Sequence, residues 1–282
     1  MSDLISHLQH LKEAKHVCEQ SIDVLPVYQE CNLVFHHGQP YQVVQKKALQ
    51  NYILPLRYLR NFGTVGLSGQ LRLLDSTVGI VGAGGLGGLI AELLARMGVG
   101  NLILIDEDCF EDNNLNRQLF CTEGNLGKSK VEAARERISS INCAVSMSLH
   151  AQRLTLENGQ ELLSPCSIVM DALDNVSSRF VLQKTARALD IPMVHGAIGG
   201  FLGQVSTIFP QDEGLYAFYP EGEDTADTLA ETIMGNPAAT PAMVAAWQAQ
   251  EATKYIAGVG ELLRNRMLFL DAQTASVEIL EY

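Results

Sequence analysis

The middle of the chain alternates between short apolar runs and longer amphipathic segments. The apolar runs are TVGIV, NLILI, SIVMD and MVHGAI, and in the segments between them apolar residues recur at helical spacing. Continuous apolar strands separated by helices are typical of a parallel sheet that is covered on both faces. The pattern therefore predicts an α/β fold with a largely parallel sheet and helices on both sides.

Further strands and a helix are predicted after this alternating region. GQVSTIFP predicts a strand that turns antiparallel, TPAMVAAWQAQEATKYIAG predicts a late helix, and MLFLDAQTASVEILE shows strand-like alternation to the end of the chain. These segments extend the sheet with antiparallel strands.

The first part of the chain has a weaker pattern. Leucines at helical spacing predict a short amphipathic helix within residues 3–17, and NLVFHHGQPYQVV predicts a short extended piece. QKKALQNYILPLRYLRNF predicts a helix up to Pro55, because the residue before a proline avoids the helical region. We expect a partly helical N-terminal extension, residues 1–55, and one larger domain, residues 56–282.

Composition and charge narrow the function. The net charge is −12, which disfavours nucleic acid as the main partner, because phosphate contacts need clustered Lys and Arg. From residue 211 to residue 282, twelve acids stand against three bases. Six cysteines without paired spacing, a polar N-terminus unlike a signal peptide and no membrane-length apolar run predict a cytoplasmic protein without a membrane partner.

A glycine-rich turn lies between the first strand and the first helix of the alternating region. Gly82, Gly84 and Gly87 fit the G-x-G-x-x-G pattern, with Gly85 beside them. Small residues let the backbone approach phosphate, and a helix N-terminus supplies N–H donors. Asp106 ends the next strand, where an acid can bind ribose hydroxyls. This predicts a nucleotide site without saying which nucleotide it takes.

Polar residues that follow the glycine turn favour a reaction at phosphate. Asn114, Arg117 and Gln118 come soon after Asp106, and Lys130 begins a predicted helix. Arg and Lys stabilise charge on phosphate oxygens, whereas a hydride-transfer enzyme has no need of them there. DALDN ends a further strand with Asp171 and Asp174, and such a carboxylate can hold Mg²⁺.

The consecutive motifs GAGGLGG, LIDEDCFEDNNLNRQLF, GKSKVEAA and DALDN resemble those of the ThiF/MoeB/HesA family, bacterial relatives of the ubiquitin-activating enzymes. The resemblance extends over about residues 56–258. It implies a nucleotide domain of Rossmann type, usually in a homodimer. It also implies an adenylyltransferase that uses Mg²⁺ and ATP to activate the C-terminal carboxylate of a ubiquitin-like sulfur carrier ending in Gly-Gly, as in molybdopterin or thiamine pathways, and releases pyrophosphate.

The resemblance also implies roles for individual residues. Asp106 would bind the ATP ribose beside the glycine turn, and Asp174 would hold Mg²⁺. Arg60, in RYLRN, matches an arginine that reaches the phosphates of the neighbouring subunit. The remaining matches would contact phosphates: Asn114, Arg117, Gln118 and Lys130.

The sequence departs from the family in its cysteines and in one loop. Many members carry two C-x-x-C pairs that bind zinc, and this chain has none, so we expect no zinc. It has no cysteine after Cys166, which predicts adenylation without a thioester step. We expect Cys121 to be an ordinary buried residue. The usual carrier-binding loop is replaced by an acidic segment over residues 211–240, with Glu221, Glu223, Asp224, Asp227 and Glu231.

Other functions stay open on the sequence alone. The adenylated carboxylate could belong to a modified tRNA base or a small peptide, although the negative charge speaks against tRNA. A noncatalytic nucleotide-binding partner is a second alternative, and a nicotinamide dehydrogenase is a distant third.

Several residues also have structural interpretations. Asp174 could cap the helix that follows it. Asp171 and His195 are expected to be buried and structural, and the nearby His7, His10 and His16 are expected to be solvated positions on one helix.

Overall fold

The structure, a computed structural model, describes residues 2–17, 20–219 and 233–282. Its N-terminal part, up to residue 55, combines helices with a small sheet. The helices are α1 (Ser2–Leu11), α2 (Val27–His37) and α3 (Tyr41–Gln50), and the strands are β1 (Glu13–Val17), β2 (Gln20–Leu25) and β3 (Leu54–Pro55). β2 pairs antiparallel with β1 and parallel with β3. We call this part the N-terminal unit.

The predictions for the N-terminal unit were wrong in three places. The first helix ends at Leu11, and residues 13–17, including His16, form β1. The segment predicted as extended lies in α2 and α3 instead, and these helices bury Leu33 and Val44 in one cluster. Gly38 separates the two helices, since it ends α2 in the left-handed conformation with φ 60°. α3 ends at Gln50, shortly before Tyr52, which has φ 62°, so the helix does not reach Pro55.

A six-residue 3₁₀ helix, Leu56–Asn61, connects the N-terminal unit to α4 (Phe62–Asp75). Longer helices and the strands of the main sheet follow α4 in chain order. They are β4 (Thr77–Val81), α5 (Gly87–Met97), β5 (Asn101–Ile105), α6 (Lys130–Ile141), β6 (Ser146–His150), α7 (Leu156–Leu163), β7 (Ile168–Asp171), α8 (Val176–Ala188), β8 (Met193–Gly199), β9 (Leu202–Ile208), α9 (Ala239–Ala257), β10 (Arg266–Asp271) and β11 (Ser276–Glu281).

These strands form one eight-stranded sheet in the order β11-β10-β9-β8-β7-β4-β5-β6. The strands from β8 to β6 are parallel, whereas β9, β10 and β11 are antiparallel to their neighbours. The predicted largely parallel sheet with an antiparallel extension is therefore confirmed. The sequence analysis missed α4, β6 and α7.

Helices cover both faces of the sheet. Alternate residues of β4 point to opposite sides, so that Val78 and Ile80 pack with α4, α5, α6 and α9, while Val81 packs with α7 and α8. β4 lies between β5 and β7, so the chain builds the sheet first on one side of β4 and then on the other. The carboxyl ends of these three strands lie side by side. This is the position at which doubly wound sheets bind ligands. None of the described helices is both long and apolar enough to cross a membrane.

Candidate functional site

A cleft of about 410 Å³ lies over the carboxyl ends of β4, β5, β6 and β7. Most residues that the sequence analysis proposed for the nucleotide line this cleft. They are Gly82, Gly84, Gly85, Asp106, Arg117, Gln118, Lys130 and Asp174. The strand order brings them together from four separate stretches of sequence.

The four glycines of the turn have two different tasks. Gly82 has φ 93°, and a Cβ there would lie 2.4 Å from the carbonyl oxygen of Ala172. A Cβ on Gly87 would lie 1.8 Å from the carbonyl oxygen of Gly82. Gly84 and Gly85 line the cleft, and a Cβ on either would come no nearer than 3.4 Å to another atom. Gly82 and Gly87 therefore hold the turn against the sheet, while Gly84 and Gly85 leave room for a ligand.

Asp106 stands at the end of β5 and faces the turn. One carboxylate oxygen accepts a hydrogen bond from the backbone N–H of Ala83 at 2.6 Å, and the other accepts one from Asp108 N–H at 2.8 Å. Burial raises the pKa of this carboxyl group, and the charge of Lys130 opposes that effect. An ionised carboxylate has about four acceptor positions, so Asp106 can still accept hydroxyl groups of a ribose.

The loop after β5 folds back to place a lysine in the cleft. An isolated backbone β-bridge pairs Cys109 with Ser129 and closes the loop. Lys130 N–H donates to the carbonyl oxygen of Asp108. The Lys130 side chain is 8% exposed, and its ammonium group donates to Asp108 Oδ2 at 2.8 Å. An arriving phosphate would meet a cation that is fixed in place and paired with an exposed carboxylate.

The same loop carries Arg117 and Gln118 over the glycine turn. Phe120 packs beside Gly88 of α5, where an added Cβ would lie 3.4 Å from its ring. This packing sets Gln118 above Gly84, and a Cβ on Gly84 would lie 3.6 Å from Gln118 Nε2. Gln118 is 7% exposed, and among the described residues its Oε1 has no hydrogen-bond partner. Its amide is therefore available to a ligand in the cleft.

The loop after β7 presents Asp174 to the cleft. The capping alternative for Asp174 is wrong, because Asn175 caps α8 by accepting a hydrogen bond from Ser178 N–H at 2.9 Å. Asp174 is exposed, and its Oδ1 accepts from Asn175 Nδ2 at 3.0 Å. Because no helix end depends on it, the Asp174 carboxylate can take a cation.

Asp171 and His195 are structural, as expected. Both are fully buried, and His195 Nδ1 lies 2.7 Å from Asp171 Oδ2. Asp171 also accepts from Leu173 N–H, while the Arg179 guanidinium donates to the Leu173 carbonyl oxygen at 2.9 Å. These contacts hold the loop that ends in Asp174.

Three of the proposed residues do not line the cleft. Gly87 lies just behind the turn. Asn114 is 6% exposed and accepts from Glu111 N–H at 3.1 Å, within its own loop. Arg60 is exposed on the 3₁₀ helix, beside Asn61, whose side chain donates to the carbonyl oxygen of Met97 at the C-terminal end of α5.

Sequence reasoning missed several cleft residues. Arg153 follows β6 and pairs with Glu107 at 2.8 Å, and Arg179, Asp108 and Asn236 also line the cleft. Arg153 could have been found by applying the strand-end rule to β6, had that strand been predicted. Asn236 comes from a distant segment and carries no motif signal.

A second hollow adjoins the cleft on the side of the loop. Arg117 and Asn236 line both cavities, and Asp112, Asn113, Leu115 and Asn116 complete the second one. Arg117 donates to the Asn113 carbonyl oxygen at 2.8 Å and to Asn116 Oδ1 at 2.9 Å, while Asn116 Nδ2 donates to the Asn236 carbonyl oxygen. Arg117 thus stands at the junction of the two cavities.

Other candidates lie outside the cleft or outside the described residues. Cys121 is 8% exposed in the core, and burial raises the pKa of its thiol, which favours the unreactive protonated form. The acids of residues 221–231 lie outside the described residues. His7 meets His37, with 3.0 Å between ring nitrogens. Within the described ranges, no three His, Cys, Asp or Glu side chains are arranged to hold a metal ion.

Comparison with known proteins places the chain in a family. The ThiF family model matches residues 57–282, which include all the cleft residues. The chain belongs to the ThiF family. This confirms the resemblance seen in the sequence motifs, and with it the Rossmann-type fold that the sheet order shows.

Several curated proteins are similar to this chain in sequence. SAMP-activating enzyme E1 of Haloferax volcanii is 36% identical over 80% of this chain and 84% of its own length. Sulfur carrier protein adenylyltransferase of Thermus thermophilus is 34% identical over 75% of this chain and 80% of its own. Adenylyltransferase and sulfurtransferase MOCS3 of Arabidopsis thaliana is 31% identical over 99% of this chain, which spans 62% of that protein.

Solved structures share the fold at lower sequence identity. The crystal structure of E. coli MccB matches with a TM-score of 0.69 at 19% identity, covering 99% of this chain and 84% of that one. E. coli MccB with ATP matches with a TM-score of 0.68 at 20% identity, covering 99% and 86%. The similarity of fold therefore includes the N-terminal unit.

Proposed function

We propose that this ThiF-family protein is an ATP-dependent adenylyltransferase that activates the C-terminal carboxylate of a ubiquitin-like sulfur carrier ending in Gly-Gly. The proposal rests on one observation. Arg117, Lys130 and Asp174 line the same cleft as Gly84 and Gly85 of the glycine turn. Relatives named for sulfur carrier adenylation and SAMP activation support it.

The cleft suits adenylation because it supplies charge and position, and the reaction asks little else of the protein. Asp106 would fix the ribose, and the backbone N–H groups at the start of α5 would hold phosphate. Arg117 and Lys130 would neutralise the charge that develops as the carboxylate attacks the α-phosphorus and pyrophosphate leaves. No general base is required, since a C-terminal carboxylate is ionised at neutral pH.

The donor set at Asp174 fits Mg²⁺. This ion binds through one or two carboxylates together with substrate phosphates, and Asp174 is exposed beside the phosphate-binding turn. Bound there, Mg²⁺ would neutralise phosphate charge. We infer that the chain holds no structural zinc, because a Cys₄ site needs thiolates and the sequence has no cysteine after Cys166.

The second hollow offers a route for the acceptor. It opens beside Arg117 and is lined by Asn113, Asn116 and Asn236. Amides pair with the backbone of an extended peptide, and Arg117 pairs with its terminal carboxylate. We infer that the carrier tail enters through this hollow and meets ATP at Arg117.

Arg60 is proposed to act in a neighbouring copy of the chain. The glycine turn lies at the N-terminal end of α5, while Tyr58 and Asn61 contact the opposite end at Gly98 and Met97. Eleven helical residues span about 16 Å, which exceeds the reach of an arginine side chain. Arg60 cannot serve the cleft of its own chain, so its proposed role requires a homodimer.

The reaction is tested by Mg²⁺-dependent exchange of pyrophosphate into ATP, measured with and without small Gly-Gly-ending carriers. We expect exchange that depends on one carrier, and a carrier shortened by its last glycine should not support it. Tight ATP binding without exchange for any carrier would move the acceptor to another carboxylate or remove catalysis. We place the protein in the cytoplasm, which supplies ATP for this reaction and keeps thiols reduced.

A further inference from the structure

A buried polar network joins the N-terminal unit to the 3₁₀ helix that carries Arg60. Glu30 of α2 is fully buried, and its Oε2 accepts hydrogen bonds from Gln45 Nε2 at 2.9 Å and from Arg57 Nη2 at 3.3 Å. Gln45 in turn accepts from the Tyr58 hydroxyl at 3.2 Å. Two helices of the N-terminal unit therefore hold two successive residues of the 3₁₀ helix.

The same two residues are held from the opposite side by the larger domain. Arg57 Nη1 donates to Asn142 Oδ1 at 2.8 Å, directly after α6. Asn142 Nδ2 donates to the Tyr58 hydroxyl and to the carbonyl oxygen of Ala95 in α5, both at 2.9 Å. Burial raises the pKa of Tyr58 to about 12, so its hydroxyl stays neutral and serves as donor and acceptor at once.

Burying a carboxylate at this position is costly. Burial raises the pKa of Glu30 against the attraction of Arg57, and among the described residues Glu30 Oε1 has no hydrogen-bond partner. An apolar side chain of similar size would stabilise the packing at least as well. What the ion pair adds is a fixed direction for the Arg57 side chain.

The anchoring of Arg57 fixes the rotation of the 3₁₀ helix that carries Arg60. Three residues make one turn of a 3₁₀ helix, so Arg57 and Arg60 lie on the same side, one turn apart. Asn61 anchors the next position through bonds to Gln70 and to the Met97 carbonyl oxygen. Arg60 is thus an exposed side chain on a short helix whose rotation is fixed on both sides of it.

We infer that Glu30 is a positioning residue: acting through Arg57, it makes the N-terminal unit orient Arg60 toward the phosphates in the neighbouring copy's cleft. This role rests on the proposed function of Arg60. It predicts that a change at Glu30 impairs the partner's cleft and leaves the cleft of its own chain intact.

The test uses heterodimers, made by co-expressing two variants with different affinity tags and purifying over both. Arg60→Ala and Asp174→Ala homodimers should each lack carrier-dependent exchange. Their heterodimer has one complete cleft and should recover about half the wild-type rate per dimer. This pair tests the role of Arg60 in the partner's cleft by itself.

Glu30→Gln should lower exchange roughly tenfold in the homodimer, because a charge-assisted contact is lost. Paired with Asp174→Ala, it should recover to the same half rate, since its own cleft receives Arg60 from the partner. Paired with Arg60→Ala, it should stay low. Lys46→Gln, which breaks an exposed ion pair with Asp75 between α3 and α4, is the matched control and should not change the rate.

Wild-type exchange in the Glu30→Gln homodimer would overturn the inference. So would failure of its heterodimer with Asp174→Ala while the Arg60→Ala pair recovers, because the defect would then lie in its own chain. Failure of the Arg60→Ala pair refutes the proposed action of Arg60 and the role of Glu30 together. If Glu30→Gln does not give a folded dimer, Glu30→Asp, which keeps the charge and draws the carboxylate back from Arg57, replaces it in the same mixtures with the same expected pattern.

Discussion

Two glycines of the same motif should fail in opposite ways when they are replaced by alanine. The structure assigns Gly87 to packing and Gly84 to ligand space, although both fit the same sequence pattern. We expect Gly87→Ala to destabilise the fold. Gly84→Ala should fold normally and bind ATP poorly.

The magnitudes follow from the space around each added methyl group. At Gly87 the methyl carbon would lie 1.8 Å from a carbonyl oxygen, whereas real Cβ atoms stay beyond 3.0 Å. The turn and α5 must separate by about 1 Å, and because the obstacle is backbone we expect a loss of about 3 kcal/mol, the upper end of the range for overpacking. For a domain of this size that lowers the melting temperature by about 6–12 °C.

At Gly84 the nearest atom to the methyl carbon is Gln118 Nε2, at 3.6 Å, an ordinary contact. The melting temperature should therefore stay within about 2 °C of wild type. The methyl group would stand where we place the phosphates, so the Kd for ATP should rise at least about tenfold, and pyrophosphate exchange should fall with it.

The assay is thermal unfolding together with calorimetric ATP binding on both variants. Gly124→Ala, where an added Cβ meets nothing nearer than 4.0 Å, controls for the general effect of removing a glycine. Equal melting temperatures for the two motif variants, or wild-type ATP affinity in Gly84→Ala, would refute the assignment of roles.

Three further predictions concern the carboxyl groups and the helix end beside them. Asp174→Ala should abolish exchange with an unchanged melting temperature, whereas Asn175→Ala should lose a helix cap of about 1 kcal/mol and melt about 2–4 °C lower. Because burial raises the pKa of Asp106, the KM for ATP should begin to rise on acidification at a higher pH than an ordinary aspartate would allow, and Asp106→Asn should flatten that profile. The raised pKa also means that ionised Asp106 costs stability, so its contribution to stability is lost as the pH rises through its titration in the folded protein. Without nucleotide, the melting temperature of Asp106→Asn relative to wild type should therefore increase with pH; the opposite trend would contradict the assigned shift.

The fold of the larger domain could be predicted from sequence because its central strands are buried on both faces. β4, β5 and β7 appear as unbroken apolar runs, each next to a helix or a loop with a clear motif. β6, SMSLH, escaped because its serines interrupt the run at the edge of the parallel strands. In the N-terminal unit, NLVFHHGQPYQVV was predicted as a short extended piece, but tertiary packing of Leu33 and Val44 stabilises helices there.

The site could be predicted as far as the motifs reached along the chain. Asp106, Arg117, Lys130 and Asp174 follow strands or begin helices, and the strand order gathers them into one cleft. Asn236 could not be found, because its place in the cleft depends on the return of a distant segment. The partner of Lys130, Asp108, was equally hidden, since only the closed loop brings the two together.

The pairing of cations in the cleft reconciles an acidic protein with an anionic substrate. The chain carries a net charge of −12, so it repels ATP and a carrier's carboxylate at long range. Inside the cleft, Lys130 is held by Asp108 and Arg153 by Glu107, both at 2.8 Å. Each carboxylate keeps its cation in place while the cleft is free of phosphate. When phosphate arrives, it must either displace the carboxylate from the cation or bind the cation together with it. If the proposed function holds, nucleotide binding depends on Mg²⁺ to offset the remaining negative charge, and nucleotide affinity should then increase with Mg²⁺ concentration.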